Sequence, residues 1–166
     1  MIVVSDTSPL NGLVIVGHLP LLQQIYGRVL IPPAVADELK RGSEDDPRIT
    51  QVLSLDWIDI CQPTNIELVK TLQTESNLDR GESEAIALAQ ELKAEELLID
   101  ERLGRKEAVR LGLNITGLLG ILLVAKRRGF VTEIRPIIDS LIQEANFRVS
   151  DRLYLEVLIA ARESDR

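Results

Sequence analysis

Two aspartates follow short apolar runs that have the composition of buried strands, and together they could hold a metal ion. Asp6 follows IVVS and Asp100 follows LLI. Because the carboxyl ends of parallel strands meet at one edge of a sheet, we expect both carboxylates at the same edge. Like charges at close range repel one another, and a bound divalent cation removes this cost. The pair therefore indicates a site with oxygen ligands, of the kind that Mg²⁺ or Mn²⁺ prefers.

Three glutamates lie on predicted helices that could pack beside this edge. Glu38 is on one helix, while Glu82 and Glu84 are near the start of another. Residues two apart are separated by roughly 200° around a helix, so either member of the pair could face the cleft. Plainer roles stay open for each acid: Asp6 and Asp100 could cap helices, and the glutamates could be solvated or could favour a helix N-terminus by charge alone.

The composition limits the class of protein. A chain of 166 residues, 45% of them hydrophobic, predicts a single domain over residues 1–166 with a sizeable core. One cysteine and one histidine exclude a disulfide framework and the usual zinc ligand sets. The first residues have no signal-peptide pattern, and no apolar run approaches the roughly 18 residues of a membrane span. We expect a cytoplasmic protein that does not enter the membrane.

Apolar strands and helices alternate along the chain. The predicted strands are residues 2–4, 29–31, 57–60, 97–99 and 114–116. The predicted helices are residues 10–16, 19–25, 32–42, 49–53, 66–74, 85–94, 102–111, 118–128, 133–144 and 151–162, with an exposed loop at 43–47. This order predicts an α/β fold with a mainly parallel sheet of four or five strands, covered on both faces. The last two helices, about 133–163, should pack on the core, with an interface to a second copy or to another protein as the alternative.

The ordered series of segments resembles a known family. The segments are IVVSDTSPL, VLIPPAVADELKRG, LDRGESEAIALAQEL, LLIDERLGRKEAVRLGLNITGLLGILLVAKRRG and IIDSLIQEANFRVSDRLYLEVL. They resemble the PIN-like nucleases, in particular a small prokaryotic branch, over nearly the whole chain. The resemblance implies a three-layer α/β/α fold and RNA cleavage that depends on Mg²⁺ or Mn²⁺, often as the toxin of a toxin–antitoxin pair. It also implies RNA as substrate, and an antitoxin protein or a homodimer as partner.

The resemblance assigns the acids to positions in the family. Asp6 matches the first acid and Glu38 the second. Glu84 matches the acid of the third motif, with Glu82 as an additional metal ligand. Asp100 matches the fourth acid. The better-characterised toxins have Asp at the position of Glu84, so a catalytically inactive PIN-like binding module is the alternative to an enzyme.

Further residues are candidates for auxiliary roles. By the resemblance, Thr7 and Thr116 would orient metal-bound water or phosphate, and Glu101 would be an auxiliary acid. The net charge of −7 is unusual for a protein that binds nucleic acid, yet acids gathered at a metal site account for part of it. Two basic clusters are predicted to hold the RNA backbone, with a solvated helix face as the alternative. Their members are Arg102, Arg105, Lys106 and Arg110 on one helix and Lys126, Arg127 and Arg128 at the end of another.

Other enzyme classes are disfavoured by missing motifs. An aspartyl-nucleophile phosphatase usually has a D-x-D motif after its first strand, and SDTSP lacks the second aspartate. Neither a P-loop nor a G-x-G-x-x-G sequence follows a strand, so nothing in the chain predicts a nucleotide cofactor.

Overall fold

A computed structural model of the chain describes residues 1–163. Within these residues, parallel strands form one sheet in the order β3-β2-β1-β4-β5. The strands are β1 (Val3–Ser5), β2 (Val29–Ile31), β3 (Ile58–Ile60), β4 (Glu96–Leu98) and β5 (Ile115–Thr116). β1 is the central strand, with Val4 in register with Leu30 of β2 and with Leu97 of β4. The predicted parallel sheet is confirmed, and β2 has the predicted bounds.

Helices cover both faces of this sheet. They are α1 (Thr7–Ile15), α2 (Pro20–Tyr26), α3 (Pro33–Asp45), α4 (Ile66–Thr74), α5 (Arg80–Leu92), α6 (Arg102–Arg110), α7 (Leu118–Arg127), α8 (Arg135–Glu144) and α9 (Asp151–Ala160), with a 3-10 helix at Pro47–Ser54. Side chains of β1 alternate between the two faces: Val3 packs with α1–α3 and α7–α9, and Val4 with α4–α6. The arrangement is the predicted three-layer α/β/α fold.

The prediction of a loop at residues 43–47 is wrong, because α3 continues through Gly42 to Asp45. A glycine inside a helix costs up to about 1 kcal/mol relative to alanine, which is why Gly42 indicated an end. In the structure the 3-10 helix folds back against α3, and a Cβ on Gly42 would lie 3.2 Å from Ile49 Cδ1. The missing side chain lets these two elements pack closely, so tertiary contact outweighs the local preference.

The last two helices pack on the core. Ile138 and Leu141 of α8 and Leu158 of α9 are fully buried. Glu163, only 2% exposed, accepts hydrogen bonds from the N–H groups of Ile134 and Arg135 at the start of α8. The end of the described chain thereby holds the N-terminus of α8 in place.

Candidate active site

The first two acids of the site follow neighbouring strands. Ser5 is in register with Leu98, and the Asp6 N–H donates a hydrogen bond to the Leu98 carbonyl at 2.9 Å. Asp6 therefore leaves β1 beside the end of β4, from which Asp100 follows. Its side chain makes no N-cap hydrogen bond to α1, so the plain capping role is not adopted.

Asp6 is a buried acid among other acids. Only 3% of the surface of Asp6 is exposed to solvent. The pKa of Asp6 is raised to about 8, first by burial and then by the charges of Glu82, Glu38 and Asp79, while a hydrogen bond from the Thr7 N–H lowers it. A carboxyl group with such a pKa is mostly protonated at neutral pH. A cation at this position would favour its ionised form.

Glu38 reaches the same cluster from α3. Thr7 Oγ1 donates a hydrogen bond of 2.6 Å to Glu38 Oε2, which connects the first residue of α1 to α3. Burial raises the pKa of Glu38, the Thr7 hydroxyl lowers it, and the charge of Asp79 raises it. The hydroxyl therefore fixes one oxygen of a carboxylate whose surroundings disfavour its charge.

Glu82 joins the cluster from the first turn of α5. Its N–H donates to Asp79 Oδ1 at 2.8 Å, and its Oε1 accepts from the Asp79 N–H at 3.4 Å, which is a capping box. The second oxygen, Oε2, is buried and has no hydrogen-bond partner in residues 1–163. Burial, and then the charge of Asp79, raises the pKa of Glu82 to about 7. A buried acceptor without a donor is costly unless something else occupies it.

Asp100 shows the same division between its two oxygens. Oδ1 accepts a hydrogen bond of 3.0 Å from the Leu118 N–H at the start of α7, while Oδ2 is buried and unpartnered among the described residues. Burial raises the pKa of Asp100. The Leu118 N–H and the charge of Arg105 lower this pKa, and the charge of Glu101 raises it. Gly117 lies so close that a Cβ there would be 2.6 Å from Oδ1. Only a glycine lets α7 begin this near the carboxylate.

Glu84 is not part of this cluster. Its Oε1 accepts a hydrogen bond of 3.0 Å from the Ala34 N–H in the first turn of α3, and its Oε2 pairs with Arg80 Nε at 3.0 Å. Both oxygens are thus engaged in joining α5 to α3. In this geometry Glu82, not Glu84, faces the other acids, and the assignment of Glu84 as the acid of the third motif stays a prediction.

The auxiliary candidates divide in a similar way. Thr7 binds Glu38, as described, and Glu101 is exposed at the start of α6, where its charge acts on both Glu82 and Asp100. Thr116 instead donates its hydroxyl to Glu96 Oε2 at 2.7 Å. Thr116 lines the same groove as Asp100, but its hydroxyl is taken by Glu96, so its predicted role toward metal-bound water or phosphate stays a prediction.

The predicted basic clusters differ in position. Arg102 and Arg105 line an open groove of about 1010 Å³ that contains Asp100, and Arg105 Nη1 donates to the Ile99 carbonyl at 2.8 Å. Lys106, on the same helix, is exposed. Lys126 instead forms a salt bridge of 3.0 Å with the buried Glu163. Arg127 is exposed at the far end of α7, roughly 13 Å of helix away from Leu118.

Sequence analysis missed Asp79 as a member of the cluster. It caps α5, and its charge raises the pKa of Asp6, Glu38 and Glu82. The signal was present in the sequence, since Asp79-Arg80-Gly81-Glu82 has the spacing of a capping box. That spacing also identifies Glu82, rather than Glu84, as the glutamate held beside the N-cap.

The cluster has donors that suit a hard divalent cation. Glu82 Oε2 and Asp100 Oδ2 are buried oxygens without partners in the described part of the chain, and hydrogen bonds hold the other oxygen of each. Within residues 1–163, no three His, Cys, Asp or Glu side chains stand close enough together to enclose an ion. Mg²⁺ needs no such enclosure, because it keeps several water ligands and binds through one or two carboxylates. The residues therefore fit a hydrated Mg²⁺ or Mn²⁺ ion.

The described residues form a parallel α/β/α sheet with acids gathered at the carboxyl edge of its central strands, where open α/β folds bind their ligands. The model of a family described as a PIN domain matches residues 2–163, and the chain belongs to that family. The PIN domain is a nuclease-type fold, and its members typically depend on a divalent metal. No curated protein matches the chain. Among the described residues, no helix combines the length and the apolar character needed to span a membrane.

Proposed function

We propose that the protein is a metal-dependent endoribonuclease that hydrolyses phosphodiester bonds of RNA, with Mg²⁺ or Mn²⁺ as cofactor. One observation carries the proposal. Among residues 1–163, Glu82 and Asp100 each have one carboxylate oxygen bound by the chain and one buried oxygen without a partner, and Asp6 in the same cluster has a raised pKa. This is an acid cluster whose charge a cation would balance.

In this proposal Asp6, Glu82 and Asp100 hold the metal, directly or through water. When bound, a divalent cation polarises a phosphate oxygen and lowers the pKa of a water molecule. Glu38 orients the attacking water and accepts its proton, and Thr7 fixes the carboxylate for this role. Burial raises the pKa of Glu38, which makes its carboxylate a stronger base than that of an exposed glutamate. No covalent intermediate is required.

The test is cleavage of a labelled single-stranded RNA in the presence of Mg²⁺ or Mn²⁺. We expect Asp6→Asn and Asp100→Asn to lose at least about a hundredfold in rate, by analogy with the loss of a single transition-state contact. Glu84→Gln is the matched control, because it removes one carboxylate charge outside the cluster and should keep the wild-type rate within about threefold. Cleavage that persists in both aspartate variants would contradict the proposal.

A second candidate is a PIN-like module that binds RNA without cutting it. The observation that favours it is that no three potential ligands enclose an ion among residues 1–163. Calorimetric titration with Mn²⁺ separates the candidates. The enzyme should bind Mn²⁺ through Asp100 and lose that binding in Asp100→Asn, whereas the module should show no such binding.

The cellular role that we propose is a cytoplasmic toxin of a toxin–antitoxin pair, which rests on the family resemblance. Its test is growth after induced expression in a bacterial host. Wild type should arrest growth, and Asp100→Asn, expressed at the same level, should not. Equal growth of both strains would contradict the toxin role. The ribonuclease proposal would then be decided by the cleavage assay alone.

A further inference from the structure

The open groove beside Asp100 extends well beyond the acid cluster. It is bounded by α1, by β5 and the start of α7, and by the segment 145–148 between α8 and α9. Its volume of about 1010 Å³ is at the upper end of the roughly 300–1,000 Å³ range of pockets that enclose a small-molecule ligand. The groove therefore has room for a nucleotide next to a phosphodiester held at Asp100.

The groove concentrates positive charge in an acidic protein. Its charged lining consists of Arg102, Arg105 and Arg148 against Asp100 and Glu101, in a chain with a net charge of −7. Arg105 is held by the Ile99 carbonyl. Throughout the described part of the chain, no hydrogen bond or ion pair engages Arg102 or Arg148. Two free guanidinium groups at the rim of a carboxylate site suit an anion such as phosphate.

The rest of the lining suits a nucleobase. The walls are apolar, formed by side chains such as Leu119, Leu123 and Leu153, and Phe147 presents an aromatic ring among them. Phe147 is half-buried and packs on the core, which holds the ring in place. Aromatic rings fixed beside a cationic path are the usual platform for an unstacked base.

An amide in the groove has an unused acceptor. Asn11 lines the groove from α1, and its Oδ1 is buried without a hydrogen-bond partner within residues 1–163. A buried acceptor of this kind is normally satisfied by a donor in the bound state. The exocyclic amino group or ring N–H of a base is such a donor.

We propose that this groove binds one unstacked nucleotide of a single-stranded RNA, adjacent to the phosphodiester at Asp100. The base lies against Phe147, its edge donates to Asn11 Oδ1, and its phosphate pairs with Arg148. The inference rests on the proposed function, because it assigns the substrate's neighbouring nucleotide to a particular surface. It makes Asn11 a residue that selects among bases, and Phe147 and Arg148 residues that select single strands over duplex RNA.

Binding is measured in the Asp6→Asn background, which blocks cleavage without altering a groove residue. The probe is a fluorescently labelled single-stranded RNA of about ten nucleotides, a length that spans the groove with flanking residues on both sides. We expect Phe147→Leu to weaken binding about fivefold or more through the loss of stacking. Arg148→Ala should weaken binding and reduce the slope of log Kd against log salt by about one.

Arg127→Ala is the matched control, because it removes one exposed cation at the far end of α7 and outside the groove. It should change the dissociation constant less than about twofold, since no phosphate contact is lost. Asn11→Ala should change the relative kcat/KM for homopolymers of the four bases in the otherwise wild-type chain. Thermal unfolding of each variant checks that the fold is kept.

The outcomes separate this inference from the function on which it rests. If Asp6→Asn abolishes cleavage but Phe147→Leu and Arg148→Ala bind and cut like wild type, the groove assignment fails and the ribonuclease stands. If wild type binds RNA through Arg148 and Phe147 but never cuts it, the ribonuclease fails and the groove stands. Equal losses in Arg148→Ala and Arg127→Ala would mean binding by overall charge and would overturn the groove. RNA affinity that is unchanged in every variant would also overturn the assignment of the groove to RNA, and a protein would then be the ligand to test.

Discussion

The backbone of Gly104 lies directly against the carboxylate of Glu82. A Cβ at Gly104 would be 2.8 Å from Glu82 Oε2 and 2.7 Å from Ile99 Cδ1. Gly117 is placed in the same way against Asp100. Glu82 and Asp100, which each have one oxygen unpartnered within residues 1–163, are thus each approached by a glycine, Gly104 on α6 and Gly117 just before α7.

Gly104→Ala should therefore displace Glu82 and weaken metal binding. The added methyl group meets a buried aliphatic side chain as well, so we expect a loss of about 1–3 kcal/mol in the free energy of unfolding. Calorimetric titration with Mn²⁺ and chemical denaturation measure the two effects. Gly42→Ala is the control, because its helix meets only the flexible end of Ile49, and it should leave metal affinity unchanged. Wild-type metal affinity in Gly104→Ala would show that Glu82 does not need this close contact.

Glu82 and Glu84 should have opposite phenotypes. Glu82→Gln removes the charge beside Asp6, and we expect a loss of about tenfold or more in Mn²⁺ affinity, as for the loss of one supporting ligand. Glu84→Gln disturbs the bonds to Ala34 and Arg80, so it should lower the midpoint of thermal unfolding slightly and leave metal affinity within about twofold. A reversed pair of results would restore Glu84 as the metal ligand.

The raised pKa of Asp6 predicts how stability depends on pH without metal. The folded state keeps a proton on Asp6 up to about pH 8, whereas the unfolded chain releases it near its ordinary pKa of 3.8. The folded state therefore holds more protons between these values, and stability falls as the pH rises from about 4 to 8. Thermal unfolding in the presence of a chelator should follow this slope.

Asp6→Asn provides the control for this titration, since the amide stays neutral. The variant should be more stable than wild type at pH 8 and similar at pH 4, again without metal. Added Mg²⁺ should stabilise wild type at pH 8 and have little effect on the variant. Parallel pH profiles for the two proteins would mean that Asp6 ionises normally.

Lys126 should contribute to stability and not to RNA binding. Burial opposes the charge of Glu163, but the N–H groups of Ile134 and Arg135 and the Lys126 ammonium outweigh it and lower the pKa of Glu163. Because that pKa is lowered, the stabilisation is present above the ordinary value of 4.5 and is lost as the pH falls through the folded value. Glu163→Ala should cost about 2–4 kcal/mol in the free energy of unfolding at pH 7.

Lys126→Met tests the salt bridge between Lys126 and Glu163 by removing its cation. It should lower the unfolding midpoint, because it leaves a buried carboxylate without its cation. Its affinity for single-stranded RNA, measured well below the unfolding temperature, should equal that of wild type. A fivefold loss of RNA affinity would instead return Lys126 to the substrate-binding surface.

The sequence was sufficient to predict the sheet, because buried parallel strands such as Val29–Ile31 are short, uniformly apolar and bounded by turn residues. It failed at Gly42, where a packing partner far from the local pattern decided that the helix continues. The acids after β1 and β4 were accessible to the same reasoning, since strand ends define an edge. The choice between Glu82 and Glu84 could not be made from strand ends, because helical spacing alone allows either side chain to face the cleft. The capping box at Asp79 would have identified Glu82, because it holds that glutamate beside the N-cap. The role of Thr116 could not be predicted, because the hydrogen bond from its hydroxyl to Glu96 is not visible in the sequence.

The central position of β1 also bears on when the proposed activity first appears. Val3 of β1 pairs with Glu96 of β4, and Asp100 accepts a hydrogen bond from the Leu118 N–H. Strand β1, which is synthesised first, therefore gains its partner β4 only after much of the chain has been translated. A nascent chain that has not reached β4 and the start of α7 has neither the sheet edge nor the last acid. Until both have been synthesised, the nascent chain lacks part of the set of residues that we propose for RNA cleavage.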